Sequence, residues 1–227
     1  MNSEDLRPFL EPTPTIESRH PEIEAFVARH CAGSDGPVDR AVRLYYAVRD
    51  GIRYDPYALE LSVKGLCATT TLSVGRGWCV AKAILLAAAC RSLAIPARLG
   101  FADVRNHLST ERMRETMKTD VFFWHGYVSI HLDGRWVRAT PAFNVELCRK
   151  FRIRPLEFDG HEDSVFHPFD EDGNRHMEYL AQRGEFADGP IDAIAATFRE
   201  YSQGLGAAAD AADADFDREV DAETGEA

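Results

Sequence analysis

The spacing of apolar residues predicts helices over much of the chain. Apolar side chains recur every three or four positions from residue 38 to residue 48, which is typical of a helix with one buried face. Similar reasoning predicts helices over residues 21–31, 37–50, 80–93, 109–118 and 191–201. Residues 55–77 are rich in Ser, Thr and Gly and are predicted to form a loop that borders a cleft.

The pattern changes to strict alternation around Asp133-Gly134, and this change predicts a β-hairpin. A two-residue loop at that position fixes the register of the two strands, so that Leu132 faces Arg135 and Tyr127 faces Thr140. Because side chains alternate between the two faces of a strand, every second residue of each strand is then predicted to share one face of the sheet.

The same register predicts partners for His125, which would lie opposite Ala142. Thr140 is a diagonal neighbour of His125 on the same face, within reach of its side chain. Asn144 is the other diagonal neighbour if the ladder continues that far. An imidazole that acts as a base needs a partner for its second ring nitrogen, and both residues are candidates for that role.

Composition predicts one intracellular domain. With 227 residues and 45% apolar content, the chain can bury a full core without disulfides, and residues 1–205 are predicted to form that domain. Its five cysteines are scattered and show no Cys-x-x-Cys spacing, which indicates a reducing compartment and argues against structural zinc. The polar N-terminus lacks signal-peptide character, so we expect a cytoplasmic protein that neither enters nor spans a membrane.

The net charge of −11 is concentrated near the C-terminus. Residues 210–227 hold eight acidic residues and one arginine, and residues 206–227 are predicted to be a disordered acidic tail. No basic stripe is present, so a nucleic-acid partner is not expected. Histidines and acidic residues at 161–174 resemble a metal site, but the spacing fails as a calcium loop, and no metal or other cofactor is predicted. The oligomeric state stays open.

Cys79 is the candidate nucleophile. It follows Gly75 and Gly77, which permit a sharp turn and a close approach by a substrate, and the helix-forming run 80–93 follows it directly. A cysteine in the first helical turn faces unpaired N–H groups, which favour the thiolate form. The alternative is a small buried core residue, because free cysteine is commonly just that.

Four motifs together resemble the transglutaminase-like core, a branch of the papain-like cysteine enzymes. They are Gly77-Trp78-Cys79, then Ala94-Ile95-Pro96-Ala97-Arg98, then His125-Gly126-Tyr127, and finally Gly134-Arg135-Trp136 with Thr140-Pro141. The resemblance covers about residues 38–145. It implies an α+β fold in which the cysteine-bearing helix packs on an antiparallel sheet, and it implies catalysis by Cys79 and His125.

One position departs from the family pattern. The family places an aspartate four residues after the tryptophan, and this chain has Thr140 there. A threonine hydroxyl can accept a hydrogen bond from imidazole but carries no charge to stabilise imidazolium. Papain-like proteases use an asparagine in this role, which keeps Asn144 as an alternative. The expected catalytic set is therefore Cys79 and His125, with Thr140 or Asn144 as the third member.

The resemblance implies acyl transfer through a thioester on a peptide or protein amide. Hydrolysis by a protease or amidase is favoured over transfer to an amine, because the chain is short and lacks a calcium-loop signature. Arylamine acetyltransferases differ in the residues around the cysteine, and peptide N-glycanases carry zinc motifs that this sequence does not have. The remaining alternative is a degenerate core that serves as a protein-binding module, as Thr140 indicates.

Overall fold

A computed structural model describes residues 4–106, 109–117, 119–165, 171–173, 177–201 and 215–225. After a 3-10 turn at Arg7–Phe9, the helices are α1 (Pro21–His30), α2 (Gly36–Gly51), α3 (Val63–Leu66), α4 (Ala68–Val74), α5 (Cys79–Ser92), α6 (Glu111–Met117), α7 (Val145–Lys150), α8 (Ile191–Tyr201) and α9 (Phe216–Thr224). The strands are β1 (Arg53–Tyr54), β2 (Arg76–Gly77), β3 (Ala97–Asn106), β4 (Val121–Leu132), β5 (Arg135–Ala139) and β6 (Met177–Phe186).

The central feature is helix α5, which packs against a four-stranded antiparallel sheet of order β5-β4-β3-β6. Helices α1, α2 and α4 cover the other sides of α5. Every residue from Cys79 to Arg91 is buried, because the helix is apolar on nearly all sides. The predicted α+β fold, with the cysteine-bearing helix on an antiparallel sheet, is confirmed.

A buried lysine ties α5 to the end of α2. The Lys82 ammonium donates to the backbone carbonyls of Arg49 and Ile52, two acceptors that the end of α2 leaves without helical partners. Burial lowers the pKa of Lys82 to about 7. Because these carbonyls lie immediately before β1, the contact fixes β1 relative to the start of α5.

The hairpin at Asp133-Gly134 has the predicted register over five residue pairs, from Leu132 opposite Arg135 to Val128 opposite Ala139. The ladder then stops, because the Thr140 backbone N–H donates to the carbonyl of Ser164 instead of continuing along β4. The predicted strand pairs of Tyr127 with Thr140 and of His125 with Ala142 are therefore wrong.

Two other predictions need correction. Residues 55–77 were expected to form a loop, but α3 and α4 form there, and α4 packs on α5. The acidic segment 206–227 was expected to be disordered, but α9 lies within it and buries Phe216 and Val220. Residues 206–214 lie outside the described part of the chain. The predicted helices at α1, α2, α5, α6 and α8 are confirmed within a few residues.

No helix among the described residues is long and apolar enough to cross a membrane. Within the same residues, no group of three or more His, Cys, Asp or Glu side chains is placed to hold a metal ion. All five cysteines are free thiols.

Candidate active site

Cys79 is the first residue of α5, and a short parallel strand pair positions the chain that leads to it. Gly75 adopts a left-handed conformation, with φ of 71°, and ends α4. The next two residues form β2, which pairs with β1 so that Tyr54 lies beside Gly77. Trp78 then caps α5 in an extended conformation. Gly75 thus provides the tight turn that the sequence predicted.

Strand β4 passes close to the first turn of α5. The backbone N–H of Gly126 donates to the Cys79 sulfur, with the nitrogen 3.5 Å from Sγ. A Cβ at position 126 would lie 3.0 Å from the Cα of Val80, so a residue with a side chain would fit here only if the backbone shifted by a few tenths of an ångström. Glycine therefore permits the close approach of β4 to the sulfur.

Burial dominates the chemistry of the Cys79 thiol. Only 6% of the residue is exposed, and the loss of hydration raises the pKa of Cys79 to about 11, although the N–H groups of Gly126, Val80 and Cys79 itself favour the thiolate. The expectation that the helix start yields a preformed thiolate is thus not met in this conformation. Desolvation of the sulfur outweighs the N–H groups at the end of the helix.

His125 lies on β4, directly before Gly126, and is also buried. Its side chain lines the same cavity as Cys79, a space of about 590 Å³. It also lines a second cavity of about 350 Å³, on which Thr140 lies. His125 therefore stands between the two cavities, with Cys79 on one and Thr140 on the other.

A β-bulge immediately precedes His125. Strand β3 pairs Ala102 with His125 and Val104 with Phe122, so that Asp103 faces two residues of β4 instead of one. One of these two residues, Trp124, has φ of 59°, a left-handed conformation that is costly for a bulky side chain.

The Asp103 carboxylate holds this bulge in place. It accepts a hydrogen bond from the backbone N–H of Trp124 at 3.2 Å and forms an ion pair with Arg183 at 2.7 Å. The Trp124 indole N–H donates to the hydroxyl of Thr197 on α8. Sequence reasoning did not find Asp103. The signal that was available is a carboxylate within the otherwise apolar run from Leu99 to Val104.

Thr140 and Asn144, the two candidates for the third position, have different surroundings. Thr140 is 3% exposed, and its hydroxyl makes no hydrogen bond to any described residue. The side-chain oxygen of Asn144 accepts the backbone N–H of Tyr54 at 3.1 Å, so it is committed to β1. Among the described residues, Asn144 lines neither of the two cavities that His125 borders.

Two aromatic residues beside Cys79 carry polar atoms. Trp78 and Tyr54 both line the larger cavity and are almost completely buried. The Trp78 indole N–H has no hydrogen-bond partner among the described residues. Burial, together with the nearby Cys79 sulfur, raises the pKa of Tyr54 far above its usual value, so its hydroxyl stays protonated and can donate.

Comparison with known proteins agrees with the fold. The family model of the transglutaminase-like superfamily matches residues 24–141, more than half of the chain. The matched segment contains Cys79, His125 and Thr140 but ends before Asn144. No curated protein matches the sequence.

Two solved structures resemble the chain at low sequence identity. A provisionally named cysteine protease from Cytophaga hutchinsonii superposes with a TM-score of 0.53 at 17% identity, over 84% of this chain and 50% of that one. A provisionally named protease from Parabacteroides distasonis gives a TM-score of 0.39 at 16% identity, over 59% of this chain and 24% of that one. This chain thus spans half the length of the first structure, which shares its fold.

Proposed function

Because the chain belongs to the transglutaminase-like superfamily, we propose that it is a cysteine enzyme that hydrolyses amide bonds through a thioester on Cys79. One observation carries this proposal: the Gly126 N–H contacts the Cys79 sulfur, so the strand that bears His125 lies against the nucleophile, and both side chains line one cavity. A thiol and an imidazole presented to the same space are the groups that covalent amide cleavage requires.

The first step forms the thioester. Because burial keeps Cys79 protonated at neutral pH, the thiol proton moves to His125 as the sulfur attacks the amide carbonyl carbon. The new C–S bond gives a tetrahedral intermediate. His125 then delivers the proton to the amide nitrogen, the C–N bond breaks, and the amine leaves. Proton transfer to His125 during attack replaces the resting ion pair found in other Cys–His enzymes.

The second step releases the acyl group. His125 takes a proton from water, the resulting hydroxide attacks the thioester carbonyl, and the C–S bond breaks. The thiolate recovers its proton from the imidazolium, and a carboxylic acid leaves. We favour water over an amine as the acceptor because water needs no binding site of its own.

The oxyanion of both steps needs two donors. The backbone N–H of Cys79 at the start of α5 is one candidate. The Trp78 indole N–H and the Tyr54 hydroxyl are the candidates for the second, since both border the cavity and both can donate.

Thr140 fits the third position better than Asn144 does. It shares the smaller cavity with His125, whereas the oxygen of Asn144 is already bonded to β1. We expect Thr140→Asp to raise the pKa of His125, because a nearby anion favours imidazolium, and to preserve or raise the rate of acylation. A strong loss in Asn144→Ala without any melting-temperature change would instead assign the role to the asparagine.

The test is capture of the acyl-enzyme. The protein is incubated with a library of fluorogenic peptide amides, quenched in acid and analysed by intact mass spectrometry. We expect a thioester adduct on Cys79, none in Cys79→Ser, and a rate lower by roughly 10²–10⁴-fold in His125→Ala. Cys31→Ser is the matched control and should retain full activity. Addition of a primary amine distinguishes hydrolysis from amine transfer by the mass of the product.

The second candidate function is a protein-binding module. The uncharged Thr140 and the raised pKa of Cys79 both favour it, because neither is typical of a fast cysteine enzyme. The absence of an adduct with every amide in the library, combined with an inert His125→Ala substitution, would favour binding over catalysis.

A further inference from the structure

The larger cavity beside Cys79 has an almost entirely apolar lining. Its walls include the aromatic rings of Tyr54, Trp78, Phe122, Phe123, Phe143 and Phe198. Three of the four methionines in the sequence, Met113, Met117 and Met177, also line it, and Asn106 and His125 are its polar members beside Cys79. These residues surround about 590 Å³ of free space, part of which is open to solvent.

Charged groups on the surrounding elements are paired with one another. On α6, Met113 and Met117 line the cavity, while Arg112 and Arg114 form ion pairs with acidic residues of α9. Arg183, which packs over the rings of Phe123 and Trp124, is paired with Asp103. Among the described residues that line the cavity, none is an aspartate, a glutamate, a lysine or an arginine.

We propose that this cavity binds a large apolar group of the substrate, aromatic or branched aliphatic, adjacent to the amide carbonyl that Cys79 attacks. The position of that carbonyl rests on the proposed function, whereas the preference for an apolar group rests on the lining alone. A carboxylate or ammonium that entered the cavity would lose its hydration, and no aspartate, glutamate, lysine or arginine among the described lining residues would pair with it. An apolar side chain would lose no polar hydration and would contact the aromatic rings.

The methionines provide a direct readout that does not depend on catalysis. Cys79→Ala protein, labelled with ¹³C at the methionine methyl groups, is titrated with N-acetyl-phenylalaninamide, N-acetyl-leucinamide, N-acetyl-lysinamide and N-acetyl-aspartate amide. We expect saturable shifts at Met113, Met117 and Met177 with the first two, and a Kd at least tenfold weaker for the charged pair. Equal or tighter binding of the charged compounds, or no shift with any compound, overturns the inference.

A charge placed on the wall should invert the preference. Phe198 lines the cavity from α8 and is only partly buried, so that position can accept a glutamate. Phe198→Glu is expected to weaken N-acetyl-phenylalaninamide by about tenfold and to strengthen N-acetyl-lysinamide. Ala196→Glu is the matched control, because it adds the same charge to the exposed side of the same helix. The same change in preference in both variants would show that the cavity is not responsible.

Failure of this inference can be told apart from failure of the proposed function. Wild-type protein is incubated with the corresponding phenylalanine, leucine, lysine and aspartate anilides, and adducts on Cys79 are measured by mass. Binding of the apolar compounds without any adduct would support the apolar site and reject the proposed enzymatic function. Adducts that form equally fast with apolar and charged anilides would support the proposed enzymatic function and reject the apolar site.

Discussion

Helices α5 and α9 both adjoin the cavity region, but they are held by opposite kinds of interaction. Helix α5 is buried from Cys79 to Arg91 and is surrounded by the sheet and three other helices. Helix α9 buries only Phe216 and Val220, and its acidic residues form ion pairs with basic residues of other elements. These pairs are Arg53–Asp217, Arg112–Glu219, Arg114–Glu223 and Lys150–Asp221.

Because they are held differently, α5 and α9 contribute to the site in different ways. The candidate nucleophile stands on an element that the core fixes, so its position does not depend on surface charge. The Phe216 ring of α9 contacts the rings of Tyr54 and Tyr57, and it shares a small adjoining cavity with Phe122 and Phe143. One wall of this small apolar cavity is therefore formed by α9, a helix whose ion pairs are accessible to water and salt.

The largest expected effect concerns the Cys79 thiol on the buried helix α5. Because burial raises the pKa of Cys79 to about 11, the reactive thiolate fraction should increase about tenfold per pH unit below that value. We expect the iodoacetamide alkylation rate of Cys79 to rise about a thousandfold from pH 7 to pH 10, as followed by peptide mass mapping. A rate that is already high and flat from pH 6 would show a preformed thiolate and would contradict the effect of burial on Cys79.

The second prediction removes packing from α5. Leu85 is completely buried, and Leu85→Ala is expected to lower the free energy of unfolding by about 2–5 kcal/mol through lost contacts and a residual cavity. Chemical denaturation measures the change. Ala196→Ser on the exposed side of α8 serves as the control and should alter stability by less than about 0.5 kcal/mol.

The third prediction removes α9. Deletion of residues 215–227 should lower the free energy of unfolding by about 1–3 kcal/mol, mainly through the loss of Phe216 burial. High salt should reduce the difference between the full chain and the truncated chain, because exposed ion pairs are screened. Removal of residues 226–227 alone is the control. An unchanged melting temperature on deletion of the whole segment would mean that α9 contributes nothing to the fold.

The smallest expected effect is that of a single ion pair on α9. Arg114 and Glu223 lie 3.7 Å apart and are both more than a third exposed, so Arg114→Gln should cost about 0.2–1 kcal/mol at low salt and less at high salt. Arg7→Gln removes another exposed ion pair, which involves no residue of α9, and provides the reference. A loss of stability as large as that caused by deletion of residues 215–227 would show that the Arg114–Glu223 pair alone holds α9 in place.

Local patterns in the sequence predicted the parts of the fold that local physics controls. Asp133-Gly134 set the hairpin register, and the apolar run after Cys79 predicted α5. The point at which β5 leaves β4 was not predictable, since it depends on the distant Ser164 carbonyl. The bulge before His125 likewise depends on Asp103, on another strand.

The candidate site shows the same division. The sequence correctly placed Cys79 at the start of a helix, but the pKa of its thiol depends on how much surrounding structure excludes water. The tail was predicted to be disordered from its acidic composition. Instead, a helix forms and buries Phe216 and Val220, which are four residues apart. The surface that they pack against comes from distant parts of the chain, so no local pattern in the sequence predicts it.

The order of strands in the sheet has a consequence for synthesis of the protein on the ribosome. Strand β3 pairs with β4 on one side and with β6 on the other, and about 70 residues separate the end of β3 from the start of β6. At roughly 5–20 residues per second, several seconds pass before β6 is made. During that interval the free edge of β3 offers unpaired backbone groups to any neighbouring chain. The nascent protein is therefore expected to be most prone to aggregation after β5 has formed and before β6 has emerged.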